Sequence, residues 1–299
     1  MTDNICWIIP PGIFIRTFHT LLTLGIFTAL CVTETDLHQA YKDGLWAYLA
    51  CYVALLIFTS ILYFVSSLID PGYLPKKQYE VRKRTISFSS SSSESSDEDG
   101  DDDERNKGEN STMLKKKKRS RSPGVKLRKC PVCKIEQPVR TKHCEDCQRC
   151  VRKYDHHCPW LENCVGERNH RFFWIFLLLQ SVLILWTLKI TWNAFTWQKN
   201  FTDWLHSNGI FTLVFLVLVV AAMVVISLLC CHSFMLCNNQ TTWEFMSRHR
   251  ITYLRNLDES LNPFHEGYFK NCIKFFFYCP YRRWEVMIEK YCTPHGGVV

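Results

Sequence analysis

HCEDCQRCVRKYDHHCPWLENC, residues 143–164, packs five cysteines and three histidines into 22 positions, and Cys130 and Cys133 lie just upstream. From Cys130 the order is C-x2-C-x9-H-C-x2-C-x2-C-x4-D-H-H-C-x5-C, ten potential metal ligands in 35 residues. A two-residue gap lets both sulfurs of a pair reach one tetrahedral ion, and a closed structural zinc site takes four ligands. Two such pairs, Cys130/Cys133 and Cys144/Cys147, therefore predict two zinc ions and eight ligands. His143 and Cys144 are neighbours whose side chains point apart, so they should serve different ions. That sorting puts His143 and Cys150 with Cys130 and Cys133. Cys144 and Cys147 are then completed by Cys164 and a histidine from position 156 or 157. One histidine and Cys158 are left over. If the DHHC stretch at 155–158 is extended, its side chains alternate, so His156 and Cys158 share a face while His157 points toward zinc. A free thiol beside an imidazole is a nucleophile–base pair, with Asp155 placed to orient the ring. The competing reading is that all ten residues bind metal or pack, with Cys158 a spare ligand.

Outward from this cluster the chain reads as a membrane protein. Residues 45–69 form 25 positions without a formal charge, and residues 210–236 form 27 with only His232 titratable; about 20 suffice to cross a bilayer. Residues 172–188 extend past Lys189, whose amine can snorkel, and residues 13–32 carry Arg16 and His19 near their start. A signal peptide is the alternative for 13–32, but its basic region is thin and no small-residue cleavage site follows. The predicted class is an α-helical polytopic membrane protein, four transmembrane helices with a cytosolic zinc-binding cysteine-rich domain.

The loops 33–44 and 193–209 hold one lysine each, Lys42 and Lys199, while Lys76, Lys77, Arg168, Arg171, Arg248 and Arg250 flank the spans on the other side. That side is the cytosol, with both termini on it. There a net charge of +8 attracts anionic lipid and anionic cofactors, not nucleic acid. Sixteen cysteines do not make a disulfide scaffold when the dense cluster faces a reducing compartment.

After the turn signal DPGYLP at 70–75, residues 87–96 are almost all serine, 97–104 almost all acidic and 115–121 almost all basic, a composition that cannot bury a core. The chain thus divides into 1–69 (first two spans), 70–129 (turn and disordered linker), 130–171 (cysteine-rich zinc domain), 172–237 (third and fourth spans) and 238–299 (cytosolic C-terminal region).

Residues 130–174 resemble the cysteine-rich domain of the DHHC family of protein S-acyltransferases (palmitoyltransferases). DPG at 70–72, TTWE at 241–244 and NPFHEGYFKNC around Asn271 are similar to further family motifs in the same order. The resemblance implies four helices forming a tent over the zinc domain, with an apolar cavity for the acyl chain. It implies that Cys158 takes a long-chain acyl group from acyl-CoA and passes it to cysteines of membrane-associated proteins in the Golgi or endoplasmic reticulum. His156 is then the base, Asp155 its orienter and Thr242 the support of Asp155. One ion falls to Cys130, Cys133, His143 and Cys150, the other to Cys144, Cys147, His157 and Cys164. Arg140, Lys142, Arg149, Arg152 and Lys153 are expected at the CoA phosphates or as neutralisers of two anionic sites. Trp160 is expected at the thioester or first methylenes, with packing inside the zinc domain as the competing reading. Asn271 should be a structural hydrogen-bonding residue. Two other classes fit parts of the pattern: a membrane-anchored zinc adaptor without catalysis, and a RING-like ubiquitin ligase, whose cross-brace spacing differs.

Overall fold

The computed structural model describes residues 11–75, 127–277 and 284–292. Four of its helices are long and apolar enough to cross a membrane: α1 (Pro11–Val32), α3 (Trp46–Leu68), α4 (His170–Asn193) and α5 (Phe201–Asn238). A short helix, α2 (Asp36–Lys42), lies between α1 and α3. In a bilayer every backbone N–H must be satisfied internally, which is why β-branched runs such as those in α5 remain helical. Large apolar side chains, among them Ile57, Phe58, Ile61, Leu185, Leu213 and Leu216, face outward, as suits lipid.

α4 packs along α5 and α3, whereas α1 is the least buried of the four. At the far end, Leu30, Leu37, Tyr52, Leu56, Leu183 and Ile190 form one core, with the Tyr52 hydroxyl 2.9 Å from Thr187 Oγ1. Tyr52 and Thr187 thereby fix α3 against α4. α5 begins at Phe201, nine residues before the stretch predicted from apolarity. Phe195 stacks on Trp204, and Asn208 exchanges hydrogen bonds with Thr196, so the expected long loop is folded into helix. α2 has a local cause as well: Thr35 caps it by accepting the N–H of His38, and Asp36 and Lys42 suit its dipole.

Below α3 lie three antiparallel hairpins: β1 (Arg128–Lys129) with β2 (Glu136–Gln137), β3 (Lys142–Cys144) with β4 (Arg149–Val151), and β5 (His156–Cys158) with β6 (Asn163–Val165). The DPG turn ties them to the membrane helices. Asp70 Oδ1 accepts the N–H groups of Gly72 and Tyr73, and Arg168 donates to its Oδ2. Gly72 takes φ +112°, and a Cβ at Gly166 would meet the Pro71 carbonyl at 2.6 Å. Asn163 and Asn169 donate to the α3 carbonyls of Ser66 and, for Asn163, to Ile69, satisfying the end of that helix.

Beyond α5 come α6 (Thr242–Met246), a 3-10 turn at Arg248–Arg250, α7 (Tyr268–Phe277) and α8 (Glu285–Cys292). Ile251, Leu254, Phe264, Trp284 and Ile288 pack with Val139, which closes the C-terminal region on the first hairpins. Asn271 is buried, donating to the Cys237 carbonyl and accepting from the Glu266 N–H. The serine, acidic and basic runs, with Lys76 and Lys77, lie outside the described residues, as do 278–283 of the aromatic and basic run FFFYCPYRRW.

Candidate active site and metal centres

The three hairpins are one unit repeated every 14 residues. Cys130, Cys144 and Cys158 occupy the same position in each, as do Lys134, Gln148 and Glu162, whose φ values of 57°, 52° and 49° turn the three tips alike. In the first two tips the second cysteine follows three residues later, and its N–H points at the first sulfur: Cys133 to Cys130 Sγ at 3.3 Å, Cys147 to Cys144 Sγ at 3.5 Å. The third tip has Leu161 in that place, 1 % exposed. Without a second sulfur this tip cannot hold an ion, so Cys158 is left unclaimed.

Each metal-binding tip is completed by the next hairpin. His143 pairs across the strands with Cys150, and His157 with Cys164, so each pair presents its ligand atoms on one face. The two resulting groups are Cys130, Cys133, His143, Cys150 and Cys144, Cys147, His157, Cys164. In the first, His143 Nδ1 lies 3.3 Å from Cys133 Sγ and 3.9 Å from Cys150 Sγ. In the second, His157 Nδ1 lies 3.7, 3.4 and 3.7 Å from the sulfurs of Cys144, Cys147 and Cys164. A tetrahedron with bonds of about 2.3 Å has edges of roughly 3.7 Å, so both clusters have the dimensions of a closed four-ligand metal site. Glu162 Oε1 sits 3.9 Å from His157 Nε2, the outer carboxylate that commonly fixes a ligating ring.

Cys158 stands apart from both groups. It is 6 % exposed and packs with Leu62, Tyr63, Leu161, Val165, Phe173, Phe176 and Leu177, directly under the helices. His156, on the same face of β5, stands beside the Cys158 thiol and donates through Nδ1 to Asp155 Oδ2 at 2.8 Å. Asp155 is fully buried, and its Oδ1 accepts the backbone N–H of Thr242 at 2.9 Å. The expected support by Thr242 is therefore supplied by its main chain, at the first residue of a helix capped by Thr241. Burial disfavours a charged His156, but Asp155 and Cys158 outweigh it and raise the ring to about 9. Burial likewise opposes ionisation of Asp155. The neighbouring imidazoles, His170 first and then His156 through its hydrogen bond, outweigh it and hold the carboxyl well below the usual carboxylate range.

His170 and His232 were not among the expected site residues. Both are buried, and each brings one ring nitrogen close to Asp155: His232 Nδ1 is 4.0 Å from Oδ2, and His170 Nε2 is 3.2 Å from His232 Nδ1. The signal in the sequence was a histidine near one end of each of two apolar spans.

Arg140 corrects an expectation. It was expected at the CoA phosphates, but it is 0 % exposed. Its guanidinium donates to both oxygens of Glu244 at 2.7 and 2.6 Å and to Asn239, and it lies over the rings of Phe264 and Trp284. Four of its five N–H donors are taken inside the protein, because the TTWE motif uses this arginine to hold the cysteine-rich domain. Arg152 pairs with Glu167 at 2.6 Å. The Lys153 amine lies over Phe275 and Trp284, and burial, followed by the like charge of Arg140, lowers it to about 7. Lys142 lies over Tyr154 and Trp243, and Arg149 is exposed over Tyr73. Trp160 is 64 % exposed, so it projects from the third tip and is not packed within the cysteine-rich domain.

Comparison with known proteins agrees with this geometry. A family model described as DHHC palmitoyltransferase matches residues 125–249. Palmitoyltransferase ZDHHC12 of Homo sapiens is 36 % identical over 283 residues, covering 94 % of this chain and 93 % of the relative. Palmitoyltransferase ZDHHC12-A of Danio rerio is 37 % identical over 277 residues, with 92 % and 94 % covered. Protein S-acyltransferase 10 of Arabidopsis thaliana is 32 % identical over 256 residues, with 81 % and 74 % covered.

Proposed function

From the premise that the chain belongs to the DHHC palmitoyltransferase family and is an integral membrane protein S-palmitoyltransferase, we propose a division of labour among its residues. Cys158 is the nucleophile, His156 the base, Asp155 its orienter and Thr242 the anchor of Asp155. One observation carries this assignment: of ten cysteine and histidine candidates, eight form two closed groups and the remaining two, His156 and Cys158, share one face of β5.

The donor is a long-chain acyl-CoA. His156 takes the Cys158 proton, and the sulfur attacks the thioester carbonyl. The tetrahedral adduct collapses to an S-acyl-enzyme, and CoA leaves as a thiol after accepting the proton. A cysteine of a membrane-associated protein then attacks the acyl-enzyme in the same sense, and Cys158 regains its proton through His156. Both metal sites take zinc, and with four protein ligands each they are structural, holding the third tip in place.

An apolar groove of about 750 Å³ runs between α1 and α3, lined by residues that include His19, Leu24, Leu56, Ile61 and Phe64. Phe64 also packs against the Cys158 cluster, and His19 stacks on Tyr63 of that cluster at 3.8 Å. An acyl chain laid there gains about 0.8 kcal/mol per buried CH2. Trp160 sits at the tip for the first methylenes. Lys142 and Arg149 are the bases suited to CoA phosphates; Arg152 and Lys153 are engaged with Glu167 and aromatic rings. The basic flanks set both termini and the zinc domain in the cytosol, at the Golgi or endoplasmic reticulum membrane.

The test is autoacylation of the purified protein with an alkyne-tagged palmitoyl-CoA. Hydroxylamine-labile label is expected on the wild type and absent from Cys158→Ser, with zinc unchanged at two per chain. Label that persists in Cys158→Ser refutes the assignment.

A further inference from the structure

Asp155 is met from three directions. Thr242 reaches its Oδ1 from α6, His156 its Oδ2 from β5, and on the membrane side His232 of α5 brings Nδ1 to 4.0 Å from Oδ2. His232 is itself held by His170, the first residue of α4, whose Nε2 is 3.2 Å from the same Nδ1. The three rings crowd round the carboxylate: His156 and His232 have centroids 5.5 Å apart and tilted by 36°, and His170 and His232 meet edge-on at 5.3 Å and 89°. Phe173 packs edge-on against both His156 and His232.

Two features separate this from ordinary packing. His170 is 4 % exposed and its Nδ1 has no hydrogen-bond partner, a cost that an aromatic residue of the same size would avoid. The fold accepts it where the other ring nitrogen meets His232. Second, His170 and His232 stand near the ends of α4 and α5, two of the three helices that pack against the Cys158 cluster. The pair therefore reports the relative placement of α4 and α5 to the carboxylate that orients the base. A metal is the less suitable occupant of this trio, since both oxygens of Asp155 already accept N–H bonds.

We propose that His232 is a positioning residue for acyl transfer: its Nδ1–H, anchored on His170 Nε2 and facing the Asp155 carboxylate at 4.0 Å, walls that carboxylate in and so keeps the His156 ring in line with the Cys158 thiol. The proposal rests on the reading of Cys158, His156 and Asp155 given above. Its working atom is Nδ1, which asparagine reproduces and phenylalanine does not. Glutamine reaches instead toward the Nε2 position.

The experiment is single-turnover acylation with palmitoyl-CoA on the full-length protein in lipid nanodiscs, for wild type, His232→Phe, His232→Asn and His232→Gln, with zinc content measured on each. His232→Phe is expected to lower the acylation rate roughly tenfold, with the palmitoyl-CoA concentration at half-maximal rate and two zinc per chain unchanged. His232→Asn is expected to recover to within about threefold of wild type, and His232→Gln to stay slow. A wild-type rate in His232→Phe overturns the proposal, and so do equal rates in the asparagine and glutamine variants, which would make ring shape the only requirement. If His232→Phe loses zinc, the order of asparagine over glutamine decides alone. Cys158→Ser and His156→Ala run alongside: label surviving in the former sinks the catalytic assignment itself. An inactive Cys158→Ser with a normal His232→Phe sinks only this inference.

Discussion

Replacing Arg140 by methionine tests the strongest correction that the fold makes. Arg140 and Glu244 are 0 % and 1 % exposed and joined by two charge-assisted hydrogen bonds of 2.7 and 2.6 Å. Glu244 keeps the N–H of Thr241 at 3.0 Å and the hydroxyl of Tyr253 at 3.3 Å, but neither neutralises its charge. Removing one partner of such a pair leaves a buried uncompensated charge and costs about 3–5 kcal/mol. At 1.4 kcal/mol per tenfold, the population in which residues 241–254 part from the cysteine-rich domain should rise by about two to four powers of ten. Hydrogen–deuterium exchange in nanodiscs reads this directly as faster exchange across α6 and the 3-10 turn. Arg140→Lys should recover little, because a point charge cannot span both carboxylate oxygens and Asn239. The double variant Arg140→Met/Glu244→Met should recover most of the loss, since no orphan charge remains. Unchanged exchange in Arg140→Met together with weaker acyl-CoA binding would refute this reasoning and return Arg140 to the donor site.

Thr242→Ala should keep acylation within about threefold, since its bond to Asp155 comes from the backbone, whereas Thr241→Ala removes the helix cap at a cost of about 1 kcal/mol and should slow the reaction more; the reverse order in a rate assay would count against the backbone role. Cys144→Ala should lose one zinc per chain and melt the cysteine-rich module, because metal binding is folding energy there, and full activity with one zinc missing would contradict it. Lys153 has a folded pKa of about 7 against an ordinary 10.5, so the folded state binds fewer protons. Its burden on stability is full below pH 7 and disappears as pH rises toward 10.5. A half-buried amine keeps part of its hydration, so Lys153→Met should stabilise the protein by only on the order of 1–2 kcal/mol at pH 7 and flatten the rise toward pH 10 in denaturation midpoints; an unaltered slope would show that Lys153 stays solvated.

Much of this molecule is written locally. The four spans follow from long apolar runs with few or no charges, and the sorting of the ligands follows from two-residue gaps, from His143 and Cys144 facing apart, and from strand alternation at 155–158, with which the cross-strand pairs His143–Cys150 and His157–Cys164 agree. The 14-residue period was legible in Cys130, Cys144 and Cys158 but is shorter than the 20 to 50 residues of ordinary repeat proteins. It explains through Leu161 why one thiol is spare. What spacing could not reveal depends on contacts between distant segments. Arg140 looks like any basic residue of a positive cluster until Glu244, 104 positions away, claims it. His170 and His232, 62 positions apart, meet only when α4 and α5 pack. The early start of α5 was hidden because aromatic and polar residues at 201–209 lower its apolarity without breaking the helix.

The most direct test of the division into eight ligands and one free pair is X-ray absorption at the zinc edge, comparing the wild type with Cys158→Ser. Two zinc ions per chain are predicted, each with an average shell of three sulfurs and one nitrogen, and an identical spectrum in the variant. A shell that loses sulfur when Cys158 is replaced would place that thiol on a metal and remove it from the chemistry.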